Sequence, residues 1–384
     1  MQGHRLLHRQ RVVHLLRTSG PLARSDLARI LGVSRSTITA IVADLIADQT
    51  LVELNLRAES QSSRGRPRML LGCNPQARRV VGIWIDEHHA RVVIADATGN
   101  VSDEGHTPTG DRNPDAVIGS IIQISEQLMV SIGGPVAAAG ICIPGFVNGA
   151  AGTVDESSVL GWSKVDLGQA ISRGLGVPTA VLNTTHALTL AEAIAGKAQG
   201  ARSAVVLDCG GRFGVGLIID GRPYTGATGA AGAIAHLPAF DTGTQCRCDG
   251  AGCADTTHSL GAPAVTPHIA GTPLEELDLA SLWHGVHRNT PALIHGVIDR
   301  IAHASLWIEA IIDPEILIIA GLSSELQELG SALQTRIDEL RPRSRRGRTT
   351  TACSNIVRRH RIPVIVALKQ LDEDIAALMH TSTP

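Results

Sequence analysis

Between Ser25 and Ile46 the chain carries two short, apolar-striped segments hinged on one glycine, and no other stretch restricts the fold as tightly. Ser25 is a good N-cap for the first, SDLARIL, with Leu27, Ile30 and Leu31 turned inward. Gly32 supplies a tight turn between helices meeting at a steep angle. Ser34 caps the second helix, in which Ile38, Ile41, Val42, Leu45 and Ile46 recur at helical spacing. Burying that stripe leaves Ser34, Arg35, Ser36, Thr37 and Thr39 as candidate contacts near the N-terminus of the helix. Small polar side chains with one arginine are what a helix needs to enter a DNA major groove and reach base edges. An earlier helix over Leu6–Leu16 ends before Gly20-Pro21. Downstream, LVELNL and MLL form two strands around a polar tip that ends in Arg64, Arg66 and Arg68. These residues form a candidate wing for phosphate or the minor groove. The order describes a winged helix-turn-helix over residues 1–72.

Charge agrees with that reading. Residues 1–80 hold 13 arginines against five carboxylates, a net of +8, whereas the whole chain is −2, so the remainder carries −10. A basic head on an acidic body suits a polyanion partner, here double-stranded DNA. The N-terminus has no apolar core of a signal peptide, and no segment reads as membrane-spanning, so a cytoplasmic protein is expected. Aromatic residues make up only 2% of the chain, so its cores must be built from Ala, Val, Leu and Ile.

Beyond a linker at 73–79, strand and helix patterns alternate. VVGIWI and ARVVIADATGNV form a hairpin, a helix follows from Pro114, and AAAGICIPG is a strand. TAVLN, a helix from His186, and the hairpin SAVVLDCGG with GVGLIIDG come next. Two similar sets of hairpin, helix and strand predict two related α/β lobes. Of seven cysteines, Cys73, Cys142, Cys209 and Cys353 sit beside apolar residues and read as buried thiols. Cys246, Cys248 and Cys253 fall within eight residues, too tight for a disulfide framework and better suited to metal. The run RPRSRRGR at 341–348 reads as a solvated loop, with a second DNA contact as the alternative.

GICIPGFVNGAAGTV, PTAVLN with AEAIAGKAQG, GVGLIIDGRPYTGATGAAGAIAH, CRCDGAGC and IDPEILIIAGL together resemble the ROK family of repressors and sugar kinases. The resemblance covers nearly the whole chain, weakening between Ala254 and Pro291 and after Arg341. It implies a two-lobed, actin-like (ribonuclease H-like) sugar-kinase fold. Lobe 1 would span 80–180, joined again by the segment from about 365, and lobe 2 would span 181–364, with a zinc loop at 236–255. His236 with Cys246, Cys248 and Cys253 offers one imidazole and three thiolates, a structural Zn2+ set with no open position.

Kinase chemistry needs glycine turns for ATP phosphates and a carboxylate base. The resemblance places the first turn at Trp84-Ile85-Asp86-Glu87-His88, where two carboxylates would repel a triphosphate. It places the second at Gly210-Gly211-Arg212-Phe213-Gly214, with the usual threonine lost. The base falls on Thr184, which cannot take a proton at neutral pH. An active kinase fused to a DNA-binding head is therefore the weaker alternative. For a bound sugar, Asn183 and His236 match the family pattern, Thr184 and Ala233 do not, and Asp255 stands one methylene short of the usual glutamate. A carbohydrate-type effector, another ligand, and no ligand at all stay open, the last leaving a constitutive DNA-binding dimer. A homodimer, or a dimer of dimers, on a palindromic operator is the expected assembly.

Overall fold

The computed structural model describes residues 2–57, 69–110, 112–132, 136–209, 212–239, 245–246, 248, 250–258, 291–321, 327–356 and 361–381. Arg64, Arg66 and Arg68, the candidate wing tip, lie outside the described residues.

The head consists of α1 (Gln2–Ser19), β1 (Leu22–Ala23), α2 (Arg24–Leu31), α3 (Arg35–Ala47), β2 (Leu51–Arg57) and β3 (Met69–Cys73). Val12, Leu16, Leu27, Ile38, Ile41, Val42, Leu45, Leu51 and Leu71 form its core. Gly32 ends α2 in the left-handed conformation, with φ +65°, and α2 and α3 then bend by 118°. Three details differ from the sequence reading. The N-cap of α2 is Ala23, not Ser25, because Leu22 and Ala23 pair with β3 and carry the chain straight from strand into helix. Ile30 is 47% exposed, because the buried stripe runs through Leu27 and Ala28 instead. The thiol of Cys73 joins the head core, so the connector begins one residue later than expected.

The body holds two five-stranded sheets of one topology. In the first, β4 (Arg79–Ile85), β5 (His89–Asp96) and β6 (Val101–Pro108) form an antiparallel meander. Then β7 (Val136–Ile143) and β11 (Thr179–Asn183) add on in parallel, giving β11-β7-β4-β5-β6. A small sheet of β8 (Phe146–Asn148), β9 (Thr153–Ser157) and β10 (Trp162–Val165), with α5 (Leu167–Leu175), lies between β7 and β11 in sequence. The second large sheet repeats the plan with β12 (Ala204–Asp208), β13 (Gly214–Ile219), β14 (Arg222–Tyr224), β15 (Ile316–Ala320) and β16 (Thr350–Cys353), in the order β14-β13-β12-β15-β16. This is the predicted duplication. Asn183 closes a strand of the first sheet, so that sheet extends three residues beyond the expected end of lobe 1.

Helices cover both sheets. α4 (Pro114–Ile132) is long and apolar enough to cross a membrane by composition, but it packs Val117, Ile118 and Ile121 into the first lobe's core. α6 (Thr184–Ala195) lies directly on β13: a Cβ at Gly216 would come 1.6 Å from Thr189 Oγ1. α7 (Pro291–Ile312) and α8 (Gln327–Leu340) cover the second sheet. The last helix, α9 (Arg361–Thr381), rests on β4 and β7 at backbone distance. A Cβ at Gly140 would sit 2.3 Å from Ala367 N and 2.5 Å from Pro363 O. Only glycine leaves that space. The lobes share a core in which Trp84 and Cys142 of the first sheet meet Ala187 and Ala191 of α6, Val206 and Ile318 of the second sheet, and Ile362 and Val366 of α9. In the 341–348 run, Arg341 is buried and paired with the buried Glu309 through Nη2, 2.8 Å from Oε2. Its role is therefore internal.

Candidate functional site

The N-terminus of α3 is built as the sequence implied. Ser34 takes extended backbone and its Oγ accepts from Thr37 N at 3.1 Å, one of the orphan donors of the first turn. Ser34, Arg35, Ser36, Thr37 and Thr39 are all exposed, while Ile38 between them is fully buried. The Thr39 hydroxyl turns back to Arg35 O at 2.8 Å, so its methyl group is what it offers outward. Among the described residues the head's carboxylates pair elsewhere: Asp44 and Asp48 with Arg5 and Arg9 of α1, Glu53 with Arg24, and Asp26 with Arg29. These pairs occupy Arg5, Arg9, Arg24 and Arg29 as well, so Arg35 supplies the charge among the exposed residues that open α3.

His236, Cys246, Cys248 and Cys253 converge so that their ligand atoms all lie within 4.8 Å of one another. Cys248 Sγ is 3.5 Å from Cys253 Sγ, and Cys246 Sγ is 3.5 Å from His236 Nδ1. Tetrahedral zinc with bonds of about 2.3 Å to sulfur and 2.0–2.1 Å to nitrogen needs edges of about 3.8 Å and about 3.5 Å. The donor set and spacing therefore fit Zn2+. Short backbone links hold the loop: Cys246 N to Gly250 O at 2.8 Å and Ala239 N to Gly252 O at 2.6 Å. Burial and the neighbouring thiols push Cys253 up to about 12, so a metal must displace its proton. With Nδ1 on the metal, His236 keeps Nε2 as a donor.

A chain of hydrogen bonds joins the start of α6 to the segments around Ala231–Ala235 and Asp255. Asn183 is the N-cap of α6, and its Oδ1 accepts from His186 N at 2.7 Å. His186, buried, bonds Ala231 O through Nε2 at 2.9 Å, and burial lowers its pKa. Val215 N donates to Gly232 O at 3.0 Å, and Asp255 N to Ala235 O at 2.7 Å. The segments carrying Asn183, His236 and Asp255 are thus linked by hydrogen bonds, but two of these side chains are already engaged. The Asn183 side-chain carbonyl serves as a cap. The Asp255 carboxylate accepts from Phe213 N at 3.0 Å and stands 3.7 Å from Arg212 Nη1, so it serves the second turn. The first turn is closed in the same way: Asp86 Oδ1 accepts from both His88 N and His89 N at 2.9 Å. Asp86 thus takes two backbone N–H groups of the first turn and Asp255 one of the second, of the kind a phosphate would need, with Gly210 and Gly211 lying outside the described residues. His258 stacks on Phe213 with ring centroids 5.2 Å apart, and Arg300 Nε holds Thr257 O at 2.9 Å, fastening the segment after the last cysteine to the turn. Arg212 and Phe213 lie in the second turn marked in sequence, whereas His186 and His258 carry no motif of their own. Only the fold brings them to these segments.

A head of three helices and a three-stranded sheet on a duplicated, two-lobed α/β body defines the class. The chain belongs to the ROK family, whose pattern matches residues 80–357. Among its relatives are the xylose repressor of Bacillus subtilis, 25% identical over 274 residues and 69% of each chain, and the DNA-binding transcriptional repressor Mlc of Escherichia coli, 23% identical over 302 residues, covering 77% of this chain and 70% of Mlc. In three dimensions it resembles a ROK family transcriptional regulator described as a homologue of Escherichia coli Mlc, with a TM-score of 0.75 and 22% identity over 97% of this chain and 98% of that one. It also resembles a ROK family glucokinase from Streptomyces griseus, with a TM-score of 0.60 and 18% identity over 75% of this chain and 98% of that one.

Proposed function

We propose that this chain is a DNA-binding transcription repressor governed by a carbohydrate-type effector, with no kinase activity. The single observation that carries the reading is the closure of both turns by the chain's own carboxylates, Asp86 on His88 and His89 and Asp255 on Phe213, beside a Thr184 that cannot act as a base. The body keeps a clamshell around a cleft and has lost the means to hold a triphosphate. The repressor names of its relatives and the exposed polar start of α3 support the rest.

In this reading Ser34, Arg35, Ser36, Thr37 and Thr39 face base edges and phosphates, with Arg64, Arg66 and Arg68 as wing contacts. His236, Cys246, Cys248 and Cys253 hold a structural zinc that orders the cleft wall. Asn183, through its amide nitrogen, and His236, through Nε2, meet the effector's hydroxyls, while Asp255 acts on the wall through Phe213. The protein works in the cytoplasm as a homodimer or a dimer of dimers on a palindromic operator. Trp307 and Ile311, 72% and 77% exposed one turn apart on α7, supply an apolar face for a second copy. The effector acts by binding one lobe arrangement more tightly than another.

Two measurements test this together. Fluorescence anisotropy with a labelled duplex selected by the protein should give tight binding that weakens steeply with salt. A coupled assay with ATP and a panel of hexoses, pentoses and N-acetylhexosamines should show no ADP release. Turnover with any sugar, or indifference to duplex DNA at low salt, overturns the reading.

A further inference from the structure

The head is fastened to the body at a second point besides the connector, and that point lies on the helix joining the two lobes. Arg17 leaves α1 and forks onto Asp372 of α9, with Nη1 2.9 Å from Oδ2 and Nη2 3.4 Å from Oδ1. Its Nε donates to Ala97 O, in the turn after β5, at 2.9 Å. Two turns earlier on α1, Gln10 Nε2 donates to the backbone oxygen of Asp372 at 3.1 Å. Both charged side chains are largely shielded, Arg17 at 12% exposure and Asp372 at 21%. His14, between Gln10 and Arg17 on α1, is kept toward its neutral form first by burial and then by Arg17.

α9 touches three bodies. Its body rests on β4 and β7 of the first sheet, where Gly82 and Gly140 admit its backbone. Ile362 and Val366 pack into the shared core with Ala187 and Ala191 of α6, the helix that Asn183 caps at the cleft. Asp372, further along the same helix, grips the head. A forked arginine–carboxylate contact is directional and short-ranged, so it transmits displacement rather than absorbing it. The connector at Asn74–Arg78 is five residues long. Asn74 is tied back to the head, its N to Thr50 O and its Nδ2 to Gln49 O, both at 2.9 Å, and Gln76 N and Ala77 N close on Asn74. These bonds run within the connector or to the head and would by themselves leave the head's orientation to the body loosely fixed.

We infer that the Arg17–Asp372 joint is the positioning contact through which the state of the cleft sets the posture of the DNA-reading head, with α6 and α9 as the relay. This rests on the effector reading of the cleft. A change in lobe angle shifts α6 against α9, and Asp372 then carries α1 along or releases it. Arg17 and Asp372 touch neither DNA nor effector in this scheme. Their loss uncouples the two sites and leaves each able to bind.

The test uses the full chain and Asp372→Asn, which keeps the side-chain shape and removes the charge. Spin labels on non-canonical residues at the exposed positions Leu7 and Val130 report head posture without any ligand. The parent should give one narrow distance distribution and Asp372→Asn a broad one, at an unchanged melting temperature. An equally narrow distribution in the variant overturns the joint. Sugar binding is then read by thermal shift with D-xylose, D-glucose and N-acetyl-D-glucosamine, and DNA release by anisotropy with the selected duplex. For a sugar that shifts the parent, release should weaken DNA binding about 5–150-fold in the parent. In Asp372→Asn the change should fall below about twofold while the thermal shift persists. Equal release in both proteins overturns the relay. If no sugar shifts the parent, the carbohydrate reading of the cleft fails, and the distance measurement still decides the joint. The exchanged pair Arg17→Asp with Asp372→Arg should restore a narrow distribution, and broadening in that pair despite a native melt counts against a charge-specific contact.

Discussion

Stripping the metal from the His236–Cys253 loop is the perturbation whose size the structure sets most directly. Without zinc, three thiols crowd one spot with nothing to hold them, and the segment they anchor is what fastens the cleft wall. Five hydrogen bonds depend on it: Ala239 N to Gly252 O, Ala254 N to Leu237 O, Asp255 N to Ala235 O, Phe213 N to Asp255 Oδ1, and Arg300 Nε to Thr257 O. At about 1 kcal/mol each they amount to about 5 kcal/mol. Exposing Phe213, now 2% accessible beneath His258, adds about 2 kcal/mol. These losses are an upper bound, because the loop keeps part of its order, so a net loss of about 3 kcal/mol is expected. For a domain of 150–250 residues each kcal/mol moves the melting temperature by about 2–4 °C, giving a drop of about 6–12 °C. Metal analysis of the purified protein should return one zinc per chain. Chelation followed by a thermal melt should show the drop, and zinc should reverse it where Mg2+ does not. A stripped protein melting within about 2 °C of the parent would refute the argument that the metal orders this wall.

Other outcomes follow from single contacts. Arg35→Ala should weaken binding to the selected duplex by about 1–3 kcal/mol, read by anisotropy, with the melting temperature unchanged. Gly140→Ala drives a methyl group into the backbone of α9 at Ala367 and Pro363, and should destabilise the protein by 1–3 kcal/mol or more in denaturant titration. Trp307→Glu places a charge on the exposed apolar face of α7 and should shift the protein toward monomer in sedimentation, with DNA affinity falling as the second head is lost. His14, His186 and His258 all have pKa values lowered chiefly by burial. The unfolded chain therefore takes up protons first. Their contribution is complete above the unfolded value of about 6.5 and is lost as pH falls toward the folded values. Melting temperature should decline between pH 7.5 and 5.5, and a flat profile there counts against these environments.

What could be read from sequence follows the range of the interaction. The α2–α3 turn is local: one glycine, one capping serine and an apolar stripe decide it, and Ser34 does cap Thr37. The His/Cys cluster that could hold a metal was legible because three of its members fall within eight residues. The duplicated sheet plan showed itself through repeated strand patterns. The short β1 strand did not, because two residues have no periodicity to display and Leu22–Ala23 becomes a strand only by pairing with β3. That pairing is also why Ser25 is bypassed as a cap. Asp255 looked like a shortened sugar ligand, yet the fold gives it to Phe213 and Arg212, which lie more than 40 residues away in sequence. The Arg17–Asp372 contact spans 355 residues, and nothing near either residue announces it.

The glycine seat beneath the last helix has a consequence for how the molecule is made. The first sheet is complete by Asn183, yet the surface at Gly82 and Gly140 stays uncovered until the residues from Arg361 onward have been synthesised. At about 5–20 residues per second, some 180 further residues take roughly 10–35 s to emerge, during which Val80, Ala138 and their neighbours have no lid. The head can fold within its own first 73 residues but acquires its fixed posture only at the end of synthesis. An incomplete chain would carry its head without the Arg17–Asp372 contact, attached to a sheet with one face uncovered.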